Sequence, residues 1–254
     1  MHTLERQRTE VLSAPIDVLD WATAINRIEA WASKLESRYV CICNAHSVVT
    51  ASQDPVFLSV IRDADMATPD GAPVAWMMRQ TGFQTQQRIN GPDLMLHCCE
   101  RAARSGTRVF LLGSLPATLE ALTASLASRF PDLDIVGTLS PPFRALSAIE
   151  DAAHIQSVND SRSGIVFVSL GCPKQELWMA AHRGRINAVM IGVGAAFDFH
   201  AGTCKRAPSW MRDSGFEWLH RLASEPRRLW RRYLVTNSLF LVKACGQLLT
   251  RART

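Results

Sequence analysis

Short runs of consecutive apolar residues alternate along this chain with longer stretches in which apolar side chains recur every three or four positions. The runs at 39–43, 109–112, 135–137, 165–169 and 188–191 predict β-strands, and the amphipathic stretches at 21–35, 74–81, 92–104, 116–129 and 174–185 predict helices between them. Val109-Phe-Leu-Leu112 and Ile165-Val-Phe-Val168 show no polar alternation, the pattern of strands covered on both faces. This order implies an α/β fold, a Rossmann-like and mainly parallel sheet flanked by helices. No internal repeat or low-complexity linker interrupts it. Charge and pattern change near 201–208, which divides the chain into an α/β domain at 1–203 and a helical appendage at 204–254.

Composition adds the most at that appendage. Residues 205–254 hold eleven Lys and Arg against Asp213, Glu217 and Glu225, with six aromatic residues interleaved, a balance of +8. The formal total is +5, so the first 204 residues sit near −3 and the basicity belongs to one end. In Glu225-Pro-Arg-Arg-Leu-Trp-Arg-Arg-Tyr-Leu-Val235 a helical projection gathers Arg227, Arg228, Arg231 and Arg232 on one side and Leu229, Trp230, Tyr233 and Leu234 on the other. Such a helix suits an anionic membrane surface, with guanidinium groups on lipid phosphates and aromatic rings at headgroup depth. It equally suits docking on its own domain. Arginine-rich helices also bind phosphate backbones, but nothing else in the chain supports a nucleic-acid partner. No stretch reaches the roughly 18–20 uninterrupted apolar residues of a spanning helix; 233–249 is broken by Thr236, Asn237, Ser238, Lys243 and Gln247. The first residues lack an apolar secretory core, so a cytoplasmic setting is expected. Seven cysteines, Cys41, Cys43, Cys98, Cys99, Cys172, Cys204 and Cys245, lie mostly in apolar runs and read as reduced, buried thiols without zinc-ligand spacing.

In open α/β sheets ligands sit beyond the carboxyl ends of the strands. The residues following the predicted strands here are Asn44 with His46, Gly113-Ser114, Gly171-Cys-Pro-Lys174-Gln175-Glu176, and Gly192-Val-Gly194-Ala-Ala-Phe-Asp198. Gly113-Ser114 before Pro116 reads as a strand-to-helix turn with backbone N–H groups suited to a phosphate, or as an ordinary tight turn. Gly192-Val-Gly194 lacks the third glycine of a dinucleotide fingerprint. Thr68-Pro-Asp70-Gly71 reads as a turn, with Arg88 and Asn90-Gly-Pro-Asp93 shortly downstream. Asp198 has two readings, a cap on the turn after Gly194 or a substrate contact, and His46 and His200 read as locally satisfied histidines.

Asn44, 64–65 through Pro69-Asp70-Gly71, Arg88 with Gly91, Gly113-Ser114, Gly171 to Glu176, Gly192 to Asp198, Gly202 with Lys205-Arg206-Ala-Pro208, and Glu225 to Tyr233 occur in an order that resembles the WecG/TagA/CpsF family of bacterial glycosyltransferases, from about residue 10 to 240. The resemblance implies inverting transfer of a sugar (N-acetylmannosamine, glucose or similar) from a UDP-sugar to a polyprenyl-diphosphate-linked monosaccharide. The reaction would serve cell-surface polysaccharide assembly, as in teichoic acid linkage units or exopolysaccharide repeats, at the cytoplasmic face of the plasma membrane. It places the catalytic base on Asp70, the family arginine on Arg88 and the functional glutamine on Gln175. The remaining matched positions, Asn44, Gly71, Gly113, Ser114, Gly171, Lys174, Gly194, Asp198, Lys205 and Arg206, become candidate substrate-binding residues. Arg227, Arg228, Arg231 and Arg232 become candidates for the acceptor diphosphate or the membrane. A threonine found in some members is Ile42 here, so any role of that hydroxyl is missing. Members are regarded as metal-independent and can self-associate, which implies no cofactor and a possible homo-oligomer.

The residue chemistry agrees with these roles. Displacement at an anomeric carbon needs a base for the acceptor hydroxyl and positive charge for the departing diphosphate. Asp70 suits the first, and Arg88, Lys205 or Arg206 the second. An unperturbed carboxylate, with a pKa of about 4, is a weak base unless burial raises it. Asp63-Ala-Asp65 and Asp132-Leu-Asp134 have the spacing of a metal-holding pair but sit before predicted turns and strands rather than after strands. Two rival classes remain: a non-catalytic anionic-lipid-binding protein, which leaves Asp70, Arg88 and Gln175 without purpose, and a nucleotide-dependent oxidoreductase or epimerase, disfavoured by the missing glycine.

Overall fold

A computed structural model describes residues 6–251, with the side chains of Asp213 and Arg228 outside the described set. The chain opens with an antiparallel hairpin, β1 (Arg8–Val11) and β2 (Ala14–Asp17). Then follow α1 (Trp21–Ala32), β3 (Arg38–Cys43), α2 (Ala45–Ala51), α3 (Pro55–Asp63), β4 (Met66–Pro69), α4 (Ala72–Gln80), α5 (Gly91–Ser105), β5 (Val109–Gly113) and α6 (Pro116–Arg129). The second half runs through β6 (Ile135–Leu139), α7 (Ala148–Asp160), β7 (Ile165–Ser169), α8 (Lys174–His182), β8 (Val189–Gly192), α9 (Ala196–His200), α10 (Ser209–Asp213), α11 (Glu217–Ser224) and α12 (Pro226–Arg251).

Six strands form one sheet in the order β4-β3-β8-β7-β5-β6, every neighbouring pair parallel. Helices cover both faces, as the continuous apolar runs require. Tyr39, Cys41 and Cys43 of β3 face one core layer with Phe57, Met77, Val166 and Met190, while Val40 and Ile42 face the other with Ile28, Leu94, Phe167 and Ile191. The predicted strands are present within two residues at each end. Thr68 and Pro69, expected in a turn, instead end β4. β4 is an edge strand, where proline's missing N–H is tolerated, and the turn proper is Asp70-Gly71.

Four cysteines are buried, but Cys172 and Cys204 are half-buried and Cys245 is exposed, so burial does not extend to the whole set. Asp65 accepts from Arg38, Arg183 and the Tyr39 N–H, and Asp134 pairs with Arg108; both lie at amino ends of strands.

The last helix departs from its expected projection. Leu229 is buried, but Trp230 and Leu234 are exposed on the same side as Arg231. The inward stripe is Leu229, Tyr233, Thr236, Phe240, Ala244 and Gln247, spaced three or four residues apart, which the eleven-residue basic segment is too short to reveal. It docks on α2 and the hairpin: Lys243 donates to Ser52 Oγ at 2.8 Å, and Gln247 donates to the Glu10 carbonyl at 2.7 Å while accepting from Leu12 N–H at 3.0 Å. Leu234, Val235, Leu241, Val242 and Leu249 remain exposed along its outer side.

Candidate active site

The carboxyl ends of β3, β4, β5, β7 and β8 meet along one edge of the sheet, and most of the candidate residues stand there. Asn44, directly after β3, accepts from His46 and Ser47 N–H groups at 3.0 and 3.2 Å. Its side-chain oxygen is thus the N-cap of α2. Asp70 N–H bonds the Cys43 carbonyl at 2.9 Å, which carries the Asp70-Gly71 turn alongside Asn44. Gly71 has φ 78 and ψ 143, a backbone state that disfavours a side chain, and it begins α4. The Asp70 carboxylate accepts from Gly71 N–H at 2.6 Å and from Arg88 Nε at 3.1 Å.

Burial raises the Asp70 pKa; Arg88 opposes that shift, Glu217 adds to it, and the net direction is upward. The expected base is therefore a stronger one than an exposed aspartate. Burial would lower the Arg88 pKa, but Asp70 and Glu217 outweigh it and hold the guanidinium protonated. Arg88 Nη2 meets Glu217 Oε2 at 2.5 Å, and Nη1 meets the Arg212 carbonyl at 3.3 Å. Arg206, expected to face a diphosphate, is turned instead toward Asp93 and Asn90: Nη2 lies 2.9 Å from Asp93 Oδ2 and 3.1 Å from Asn90 Oδ1. Burial of Asp93 is outweighed by these bonds, and its pKa falls to about 2. A planar guanidinium matches a carboxylate with two parallel bonds, and here the carboxylate is supplied by α5. Lys205 is exposed beside it.

Gln175, in the first turn of α8, lies against the carboxyl end of β8. It is 4% exposed, and its Nε2 donates to Glu176 Oε1 at 2.9 Å while Oε1 has no hydrogen-bond partner among the described residues. Gly192 and Gly194 give it room: a Cβ on Gly192 would fall 2.9 Å from Gln175 Nε2, and Gly194 lies against Oε1. Burial raises the pKa of Glu176, favouring the protonated acid beside this amide. Gly171 and Lys174 are exposed at the start of α8. Asp198 lies in α9, where its carbonyl accepts from Thr203 and Cys204.

Ser114 differs from expectation. Its N–H is taken by the Ser169 carbonyl at 3.1 Å, and its own carbonyl accepts from Ser140 Oγ at 2.7 Å, so the turn gives up one of the N–H groups expected for a phosphate. The cause is the close approach of β5 to β7 at Gly113, where φ is +114 and a Cβ would lie 2.3 Å from the Ser169 carbonyl oxygen. Gly113→Ala is expected to destabilise the protein by about 3 kcal/mol, combining backbone strain with a clash that only strand separation relieves. At this chain length that lowers Tm by roughly 6–12 °C in a thermal melt.

His46 is neutral: burial, helped by the Arg232 charge, pushes its pKa down to about 4, and Thr236 Oγ1 lies 3.4 Å from Nδ1. His200 Nε2 lies 2.9 Å from the Pro92 carbonyl. Of the four tail arginines, Arg227, Arg231 and Arg232 are exposed, with Arg231 over the Trp230 ring. Arg232 acts electrostatically on His46, Cys172 and Glu176. Arg228 is outside the described side chains.

Glu217 and Arg212 are site neighbours that pattern alone did not single out. The available signal was small: Glu217 is one of three acids in the most basic segment of the chain.

The edge thus gathers a half-buried carboxylate with raised pKa, a guanidinium bonded to it and a buried amide with an open acceptor oxygen. Residues 9–254 match the glycosyl transferase WecG/TagA/CpsF family. The chain is similar to an N-acetylglucosaminyldiphosphoundecaprenol N-acetyl-beta-D-mannosaminyltransferase of Bacillus spizizenii, with 30% identity over 229 residues covering 87% of this chain and 86% of the relative. By these matches the protein is a glycosyltransferase and belongs to the WecG/TagA/CpsF family.

Proposed function

We propose that this enzyme transfers a sugar from a UDP-sugar to a polyprenyl-diphosphate-linked monosaccharide, with inversion at the anomeric carbon. The observation that carries the reading is the Asp70–Arg88 pair at the carboxyl end of β4, a base and a cation in direct contact on the ligand edge of the sheet. Asp70 takes the acceptor hydroxyl proton as that oxygen attacks. Arg88 and Lys205 carry positive charge toward the diphosphate whose bond to the sugar breaks, in the place a divalent metal takes in other transferases. Gln175 Oε1 supplies a fixed acceptor for a sugar hydroxyl or acetamido N–H, since a buried amide oxygen lacking a partner favours a ligand that donates to it. The relative's acceptor, named as a GlcNAc-diphospho-undecaprenol, and its N-acetylmannosaminyl product bond supply the donor and acceptor to try first.

Residues 204–254 act in this reading as an appendage that brings the site to the lipid. No helix among the described residues is long and apolar enough to cross a membrane. The outer side of α12 presents Leu234, Leu241, Val242 and Leu249 with Arg227 and Arg231 nearby, which suits peripheral binding to an anionic surface.

The direct test is UDP release from a panel of UDP-sugars, with and without a short-chain polyprenyl-diphosphate-GlcNAc acceptor. Acceptor-dependent release with at least one donor is the expected result, and the product anomer reports inversion. Release from no donor–acceptor pair by folded wild-type protein would sink the reading.

A further inference from the structure

Arg88 is held by more than the base it touches. Its Nε, Nη1 and Nη2 point to three separate partners: Asp70, the Arg212 carbonyl and Glu217. The last two come from the chain around α10 and α11, more than a hundred residues away in sequence. The contact is fitted as well as charged, because a Cβ on Gly215, at φ +80, would fall 2.8 Å from Ala72 Cβ at the start of α4. A second node secures the same segment: Arg206 bonds Asp93 and Asn90, its Nε lies 4.0 Å from Glu217 Oε1, and Arg212 Nη1 lies 3.9 Å from Asp93. Side-chain exposure is low throughout, 16% at Asp70, 21% at Arg88 and 14% at Glu217.

We propose that Glu217 is a positioning residue for the transfer step, clamping Arg88 through Nη2 while Nε meets Asp70, so that α11 completes the catalytic pair when docked. A guanidinium is planar, so fixing Nη2 and Nη1 fixes the direction of Nε. Three of its five N–H donors are then engaged, and two remain for substrate oxygens. Docking of α11 and assembly of the base become one event. Glu217 also balances charge: with two carboxylates sharing one cation, Arg88 stabilises ionised Asp70 less than it would alone, and the base stays stronger. The groups facing Asp70 are Arg88, Glu217, the Cys43 thiol and the Gly71 N–H, with Arg206 behind Glu217 and Arg212 beside Asp93.

This inference rests on the proposed transfer reaction, and the experiment separates the two. Steady-state UDP release with the short-chain acceptor is compared across pH for wild type, Glu217→Gln, Glu217→Asp and Gly215→Ala, each checked by thermal melt. Glu217→Gln is expected to lower kcat about tenfold with the UDP-sugar KM within about twofold, the scale of a lost charged hydrogen bond. Its acid limb moves to lower pH, because Arg88 then serves Asp70 alone. Glu217→Asp restores part of both changes. Gly215→Ala, which alters no charge but lifts the segment off Ala72, reproduces both. A wild-type kcat in Glu217→Gln, or a reduced kcat with the acid limb unmoved, overturns the clamp while leaving the transferase reading intact. Absence of acceptor-dependent turnover in wild type overturns both.

Discussion

Asp70→Asn is expected to reduce acceptor-dependent UDP release by about 10²–10⁴-fold, the range of a lost general base, and at neutral pH to raise rather than lower Tm. Both halves follow from one property. Burial lifts the Asp70 pKa above its unfolded value, so the folded protein holds this proton more tightly than the unfolded chain does. The stability that Asp70 contributes is then full below the unfolded carboxylate pKa and is lost as pH rises through the folded one. At neutral pH the ionised carboxylate opposes folding, and an amide of the same shape relieves that opposition. Arg88 keeps its bonds to Glu217 and to the Arg212 carbonyl in the variant, so no cation is stranded. Wild-type activity should fall as pH drops through the same folded pKa, because only the ionised form accepts a proton. Activity and stability therefore move in opposite directions across that window, as expected where a site holds a destabilised group. The checks are kcat with the short-chain acceptor and thermal melts at acid and neutral pH. Retained turnover would remove Asp70 from the base role, and a lowered neutral-pH Tm would show that Arg88 dominates its environment.

Much of the sheet was legible because parallel strands covered on both faces carry their signal in four or five adjacent residues. The runs at 109–112 and 165–169 need no partner to be recognised. The hairpin at the start was not legible for the opposite reason. Its turn uses Leu12 and Ser13, both at positive φ, instead of the glycine or asparagine that marks such turns, and its strands have four residues each. It is held from outside: Asp17 accepts from Ala67 N–H at 2.6 Å and pairs with Arg6. The helices α2 and α3 were missed, and their caps, Asn44 and Asp54, became recognisable only as side chains on their own backbone. The α7 start carried a readable capping box, Ser147 with Glu150, that the apolar pattern around it obscured.

The site divides along the same line. Asp70, Arg88 and Gln175 were singled out through the family resemblance, whose motifs are short and local. Glu217 was not, since its role exists only through a partner 129 residues away, and no local pattern distinguishes it from the other acids of the tail. Arg206 illustrates the converse: a basic residue in a family motif invites a phosphate, yet its partner in the fold is a carboxylate on α5. Pattern gives the type of a side chain and its place on an element, while the charge opposite it is a property of the tertiary arrangement.

Removal of residues 204–254 is expected to lower turnover on the short-chain acceptor by more than about 100-fold, although that acceptor needs no membrane. The removed segment supplies Glu217 and the Arg212 carbonyl to Arg88, two interactions with a charged group worth about 1.5–3 kcal/mol each, and the surrounding exclusion of water goes with them. It also covers α2. Leu229, Phe240 and Ala244 are at most 3% exposed, and Phe240 and Ala244 pack in the layer that holds Val48 and Val49, so truncation opens the core just behind Asn44. The outer side of α12 behaves differently. Leu241 and Val242 are 62% and 71% exposed and touch none of these groups. The double change Leu241→Glu and Val242→Glu is expected to leave short-chain turnover within about twofold and to weaken binding to anionic vesicles by about tenfold or more, from lost apolar burial of about 1–2 kcal/mol per side chain. Vesicle sedimentation and UDP release on the same preparations separate the two sides of one helix. A truncated protein that keeps its short-chain turnover would return the whole tail to membrane attachment, and Arg88 would then have to work without its clamp.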